Sequence, residues 1–111
     1  MLMYKSYKKD VLKALERAEQ QALTLIGEHG QSEVIKKITS NKSVDTGLMR
    51  NSTLYEVQKD RVTIGNSVFY APFVELGTSR QGAKPFLKPA IYNATARFKK
   101  IADAVFKEVF R

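Results

Sequence analysis

The chain has 111 residues, of which 43% are hydrophobic, with no cysteine, no tryptophan and a formal net charge of +8. That length suits a single domain, 1–111, able to bury a core. The lack of cysteine excludes disulfides, thiolate chemistry and cysteine-held zinc. No apolar run nears the roughly 18 residues of a membrane span, and "MLMYKSYKKD" leads into no apolar segment of signal-peptide type. The charge is uneven: residues 1–44 carry 8 basic and 5 acidic groups, 45–79 carry 3 and 4, and 80–111 carry 8 and 2. The cationic excess therefore belongs mainly to the last third.

Residues 5–26 predict an amphipathic helix, because Val11, Leu15, Ala18, Ala22 and Leu25 recur at 4-3-4-3 spacing with Leu12 and Ile26 alongside. Ala18 and Ala22 keep this stripe thin and permit close approach. Gly27 and Gly30 each cost a helix about 1 kcal/mol relative to alanine, yet Val34, Ile35 and Ile38 resume the pattern. One long helix to about Ile38 is the favoured reading; the alternative is two helices meeting near Gly30. "TSNKS", residues 39–43, reads as a loop. Asp45 suits the N-cap of a short helical turn over 46–51. Residues 53–57 and 61–65 then read as two β-branched, alternating strands joined by a short turn, with Val57, Val62 and Ile64 facing the core.

The segment Val68–Ala90 holds four aromatic residues and all three prolines of the chain. Pro72 suits the first position of a helix and Gly77 a left-handed helix end, so "APFVELG" predicts a short helix of about 72–76. Pro85 and Pro89 flank the expected start, near Phe86, of a final amphipathic helix of about seven turns. Its apolar stripe is Leu87, Ile91, Ala94, Phe98, Ile101, Val105 and Val109. Lys100, Lys107 and Arg111 occupy the opposite face, Arg97 one flank, Lys88 and Lys99 the other. Tyr92 and Phe110 lie off the stripe, where a subunit contact would use them. Between the anchored ends, residues 78–84 form a polar loop, expected to be mobile. Ser79, Arg80, Gln81, Gly82 and Lys84 are the candidate contact residues. The fold class expected is α+β: a long N-terminal and a long C-terminal helix packed on a small antiparallel sheet with a central β-hairpin.

Three ordered motifs, "VDTGLMRNS", "YAPFVELGTS" and "KPFLKPA", spanning residues 44–90, resemble the neck, or tail-completion, family of long-tailed bacteriophages. That family reads V-D-T-G-x-L-R-x-S, Y-A-x-x-V-E-x-G-T and P-F-L-x-P-A; here Met49 precedes Arg50 and Leu48 stands one place early. The resemblance implies a structural virion protein of the head–tail junction in a phage or prophage, assembled in the host cytoplasm. It implies neck and tail proteins as partners, a homo-oligomeric ring, contact with packaged DNA, no cofactor and no catalysis. Carried over by position, the motif residues are Asp45, Thr46, Gly47, Arg50, Tyr70, Ala71, Glu75, Gly77, Thr78, Pro85, Phe86 and Pro89, mainly structural. Asp45 would cap, Gly47 and Gly77 would permit tight backbone, Phe86 would pack, and Arg50 and Glu75 would form a bidentate pair joining two motifs.

Other chemistry has little support. His29 has no cysteine and only Glu28 and Glu33 nearby, and reads as a surface or helix-break residue. Glu56 and Asp60 fall near a hairpin tip, where carboxylates are solvated. Ser52, Ser67 and Ser79 lack a nucleophile elbow, and "GTSRQGAK" does not follow the phosphate-loop pattern. The alternative function is a small basic nucleic-acid-binding protein using its cationic C-terminal helix. No sequence-reading motif accompanies that helix.

Overall fold

The computed structural model describes residues 2–42 and 46–109, with side chains from residue 9 onward. Six elements follow in order: α1 Leu2–Asn41, α2 Thr46–Asn51, β1 Thr53–Val57, β2 Val62–Asn66, α3 Ala71–Leu76 and α4 Lys88–Val109. This is the α+β arrangement expected, with long helices at both ends and a two-stranded antiparallel hairpin between them. Asp45, Phe110 and Arg111 lie outside the described residues, so the N-cap expected of Asp45 does too.

α1 is one uninterrupted helix of 40 residues, about 60 Å long. It does not stop at Ile38. Thr39 and Ser40 donate their hydroxyls back to the carbonyls of Ile35 and Lys37, so residues expected to break the helix are held within it. The molecule measures 69 × 22 × 21 Å with a radius of gyration of 18.3 Å, against about 13 Å for a compact domain of this size. α1 is the spine, and α2, the hairpin and α4 dock along part of it.

The glycines of α1 explain how. A Cβ on Gly27 would lie 2.5 Å from Cδ2 of Tyr55, and one on Gly30 would collide with Cδ1 of Ile64. Tyr55 on β1 and Ile64 on β2 are direct cross-strand partners. The two glycines are therefore notches, one helical turn apart, into which adjacent side chains of the hairpin settle. Propensity makes them weak points in a free helix; packing makes them the seat of the hairpin. Gln20 and Gln31 clamp its two ends, Gln20 by donating to the carbonyl of Lys59 at 2.8 Å and Gln31 to that of Thr53 at 2.8 Å. Val57, Val62 and Ile64 point inward as expected, each half-buried.

α4 runs antiparallel to α1. Ala90 meets Val34 and Ile38 at one end, His29 lies edge-on to the Phe98 ring with centroids 5.8 Å apart, and Val105 packs on Ala18 and Ala22 at the other. The histidine is therefore part of the helix seam, not of a break. The two alanines are 0% and 4% exposed, so the thin stripe does admit a close helix. The larger core gathers Val34, Ile38, Met49, Val68, Ala71, Phe86 and Ala90, where α1, α2, α3 and the start of α4 converge.

Candidate assembly surface

The second and third motifs meet through one carboxylate. Oε2 of Glu75 accepts the backbone N–H groups of Phe86 at 2.7 Å and Leu87 at 3.0 Å, and Oε1 accepts that of Lys88 at 2.9 Å. These donors precede and open α4, where a helix has no partners of its own and its dipole favours an anion. Glu75 thus caps α4 from a different helix. This overturns the expected Arg50–Glu75 pair: both carboxylate oxygens are engaged with backbone, and Arg50 is exposed, its Nη1 3.5 Å from Oγ1 of Thr39. It also explains why α4 starts at Lys88 and not at Phe86. Pro89 sits in the first turn, where its missing N–H costs nothing.

α3 begins one residue early, at Ala71, with Tyr70 at the N-cap and Pro72 following. Tyr70 lies edge-on to Phe69, with ring centroids 5.3 Å apart. Gly77 closes the helix at φ 82° and ψ 171°. The positive φ was expected, but the ψ places it in the extended region that only glycine occupies easily, not in the left-handed helical one. A Cβ there would stand 2.8 Å from the backbone nitrogen of Ala83. Gly47 has no such constraint, since a Cβ on it would meet nothing within 4 Å; its expected role in tight backbone is not found.

The loop after Gly77 does not hang free. Oγ1 of Thr78 accepts the N–H groups of Arg80 and Gln81, Thr78 N–H donates to the Gln81 carbonyl, and Lys84 N–H returns to the carbonyl of Val74. Asn41 then ties the carbonyls of Lys84 and Pro85 to the end of α1. Ser79, Arg80, Gln81, Gly82 and Lys84 are all exposed on this folded-back turn. The first motif is joined to the hairpin through a residue that sequence reasoning missed. Asn66 donates to the carbonyl of Met49 at 2.6 Å and to Oγ1 of the buried Thr53, and its own oxygen accepts from Val68 N–H. Ala71 and Phe86 are buried and Thr46 opens α2. The motif residues therefore build a joint, and what they present to solvent lies around it.

That presented surface is apolar to an unusual degree. Phe69 is 85% exposed, Phe73 60% and Leu76 79%, with the last two on α3 beside the loop. Tyr92, 79% exposed, borders an open groove of about 470 Å³ lined by Ile64, Leu87, Ile91 and Thr95 with Glu75 and Lys88 at its edge. At the far end, Val105 packs on Ala18 and Ala22 one turn before the described part of α4 ends at Val109, so the first part of α1 projects roughly 20 Å beyond it. Val11, Leu12 and Leu15, the start of the expected core stripe, are exposed there. A lone helix of this length is marginal in water, and its stability ordinarily comes from packing its apolar face. Among the described residues no group of three acidic, histidine or cysteine side chains could hold a metal, and no helix is long and apolar enough to cross a membrane. Comparison with protein-family models, with curated proteins and with solved structures returns no match.

Proposed function

We propose that this is a head–tail joining protein of a long-tailed phage or prophage, of neck or tail-completion type, acting by assembly and not by catalysis. The observation that carries the reading is the exposed apolar surface just described. Large apolar side chains left this exposed on an elongated chain mark contact with other proteins. Here Phe69, Phe73, Leu76 and Tyr92 lie within or next to the second and third of the motifs that resemble the family. In the assembled particle the patch of Phe69, Phe73 and Leu76, the Tyr92 groove and the projecting end of α1 would be covered by neighbouring copies and by neck and tail proteins. Contacts between unlike surfaces of neighbouring copies are head-to-tail, and they close into rings when the rotation permits.

Electron microscopy of particles made without this gene tests the reading. Unjoined heads and tails, or tails of abnormal form, are the expected result. Normal infective particles would remove the assignment. The genes beside it should encode head-closure and tail-tube components.

A further inference from the structure

We propose that a row of cations on the side of the α1–α4 pair away from the hairpin binds the phosphate backbone of duplex DNA without sequence preference. α4 has two lateral sides. One carries Leu87, Ile91 and Thr95 against Ile64 of the hairpin. The other faces a shallow trough between the two long helices, lined by Glu33, Lys36, Lys37, Ser40, Ala90 and Asn93. Continuing down α4 from Asn93 at helical spacing come Arg97, Lys100 and, two turns on, Lys107, all exposed. With Lys36 and Lys37, which line the trough beside Asn93, they make a row of five cations, of which the three on α4 span about 15 Å. The seat is thus shared by two helices, and the Lys88 and Lys99 flank is excluded from it.

The row is poorly neutralised. Lys36 pairs with Glu33 at 3.4 Å, and His29 approaches the same carboxylate. Among the described residues Lys37, Arg97, Lys100 and Lys107 have no carboxylate within ion-pair distance. The acids of α4 are Asp103, one turn from both Lys100 and Lys107 but outside ion-pair distance of either, and Glu108, against five cations. Like charges held side by side on a rigid helix repel one another, and an external polyanion relieves that repulsion.

The trough also argues against an acidic protein as the occupant. Ala90, Asn93 and Ser40 offer no large apolar anchor, whereas protein interfaces centre on such anchors. The apolar surfaces of this chain lie on other faces. A duplex needs none: it carries one charge per ~1.7 Å of axis and is held by releasing its counterions. The inference stands on the charge row alone and does not depend on the assembly reading.

The test is fluorescence anisotropy of a labelled mixed-sequence duplex titrated with the whole chain between 50 and 200 mM salt. Four unpaired cations predict a slope of log K against log salt of about −3.6, a loss of roughly 150-fold across that range. The double variant R97Q/K100Q is expected to shallow the slope by about two contacts. K88Q/K99Q removes the same charge from the other flank and is expected to leave it unchanged. Circular dichroism of both variants checks that the helices are intact. Absence of salt-dependent binding at 50 mM overturns the proposal. So does an equal loss in both variants, which would mean net charge and not a row. Poly-glutamate, whose charge is less dense, is expected to compete poorly; competition equal to DNA, charge for charge, would overturn the assignment to nucleic acid.

Discussion

Replacing Gly27 by alanine should destabilise the protein, although the same change in a free helix would stabilise it. Alanine gains about 1 kcal/mol of helix propensity over glycine. Against this, the new methyl would stand 2.5, 2.9 and 3.0 Å from three atoms of the Tyr55 ring, where carbon contacts settle at about 3.5–4.0 Å. The ring must retreat by roughly 1 Å, and its way is limited by Ile64, its cross-strand partner, which already fills the Gly30 notch. Overpacking of this kind costs about 1–3 kcal/mol, leaving a net loss near 1 kcal/mol. Urea unfolding followed at 222 nm should show the midpoint falling by about 0.5 M for a slope near 2 kcal/mol/M. The decisive comparison is made in a Tyr55→Ala background, where the obstacle is gone and only propensity remains. There G27A should stabilise by about 1 kcal/mol, a reversal of sign that gives a coupling near 2 kcal/mol. If G27A stabilises the unaltered protein, or if the cycle shows no coupling, the notch account is wrong.

Glu75→Ala leaves three backbone donors at the opening of α4 without their acceptor and should cost about 2 kcal/mol. Its melting temperature should fall by roughly 8 °C at about 4 °C per kcal/mol, while Glu56→Ala on the exposed strand face should move it by no more than about 2 °C. Equal shifts would sink the capping role. Phe86→Ala empties a site that is 2% exposed and should cost about 3–5 kcal/mol, measured as a loss of denaturant midpoint. Phe73→Ser with Leu76→Ser should leave stability within about 0.5 kcal/mol yet weaken self-association in sedimentation experiments. Unchanged association would exclude the α3 patch as a contact.

The elements whose signals are local were legible in the chain. The 4-3 recurrence from Leu87 to Val109 marks α4 because a helix's period belongs to the helix itself. Pro72 and Gly77 bracket α3 because each restricts its own backbone. What could not be read was non-local. Gly27 and Gly30 look like weaknesses until the hairpin is laid across them. Glu75 looks like an arginine's partner until the chain, eleven residues on, brings three N–H groups to it. Val11 and Leu15 announce a face that needs covering, but an amphipathic stripe does not say by what, and on this chain α4 stops short of them. Asn66 carried no spacing signal, since its role depends on α2 and β1 arriving together.

The single spine turns α1 into a ruler. The hairpin reads it at Gln20, Gly27, Gly30 and Gln31, and α4 reads it at Ala18, Ala22, His29, Val34 and Ile38. One residue inserted between these marks would swing everything beyond it by about 100° and slide it by about 1.5 Å, separating notches from their side chains. An insertion of about seven residues, close to two whole turns, would restore the facing, but it would part the docked pieces by about 10 Å. Length can vary freely where nothing is measured, in the projecting end of α1; between Ala18 and Ile38 it is fixed to the residue.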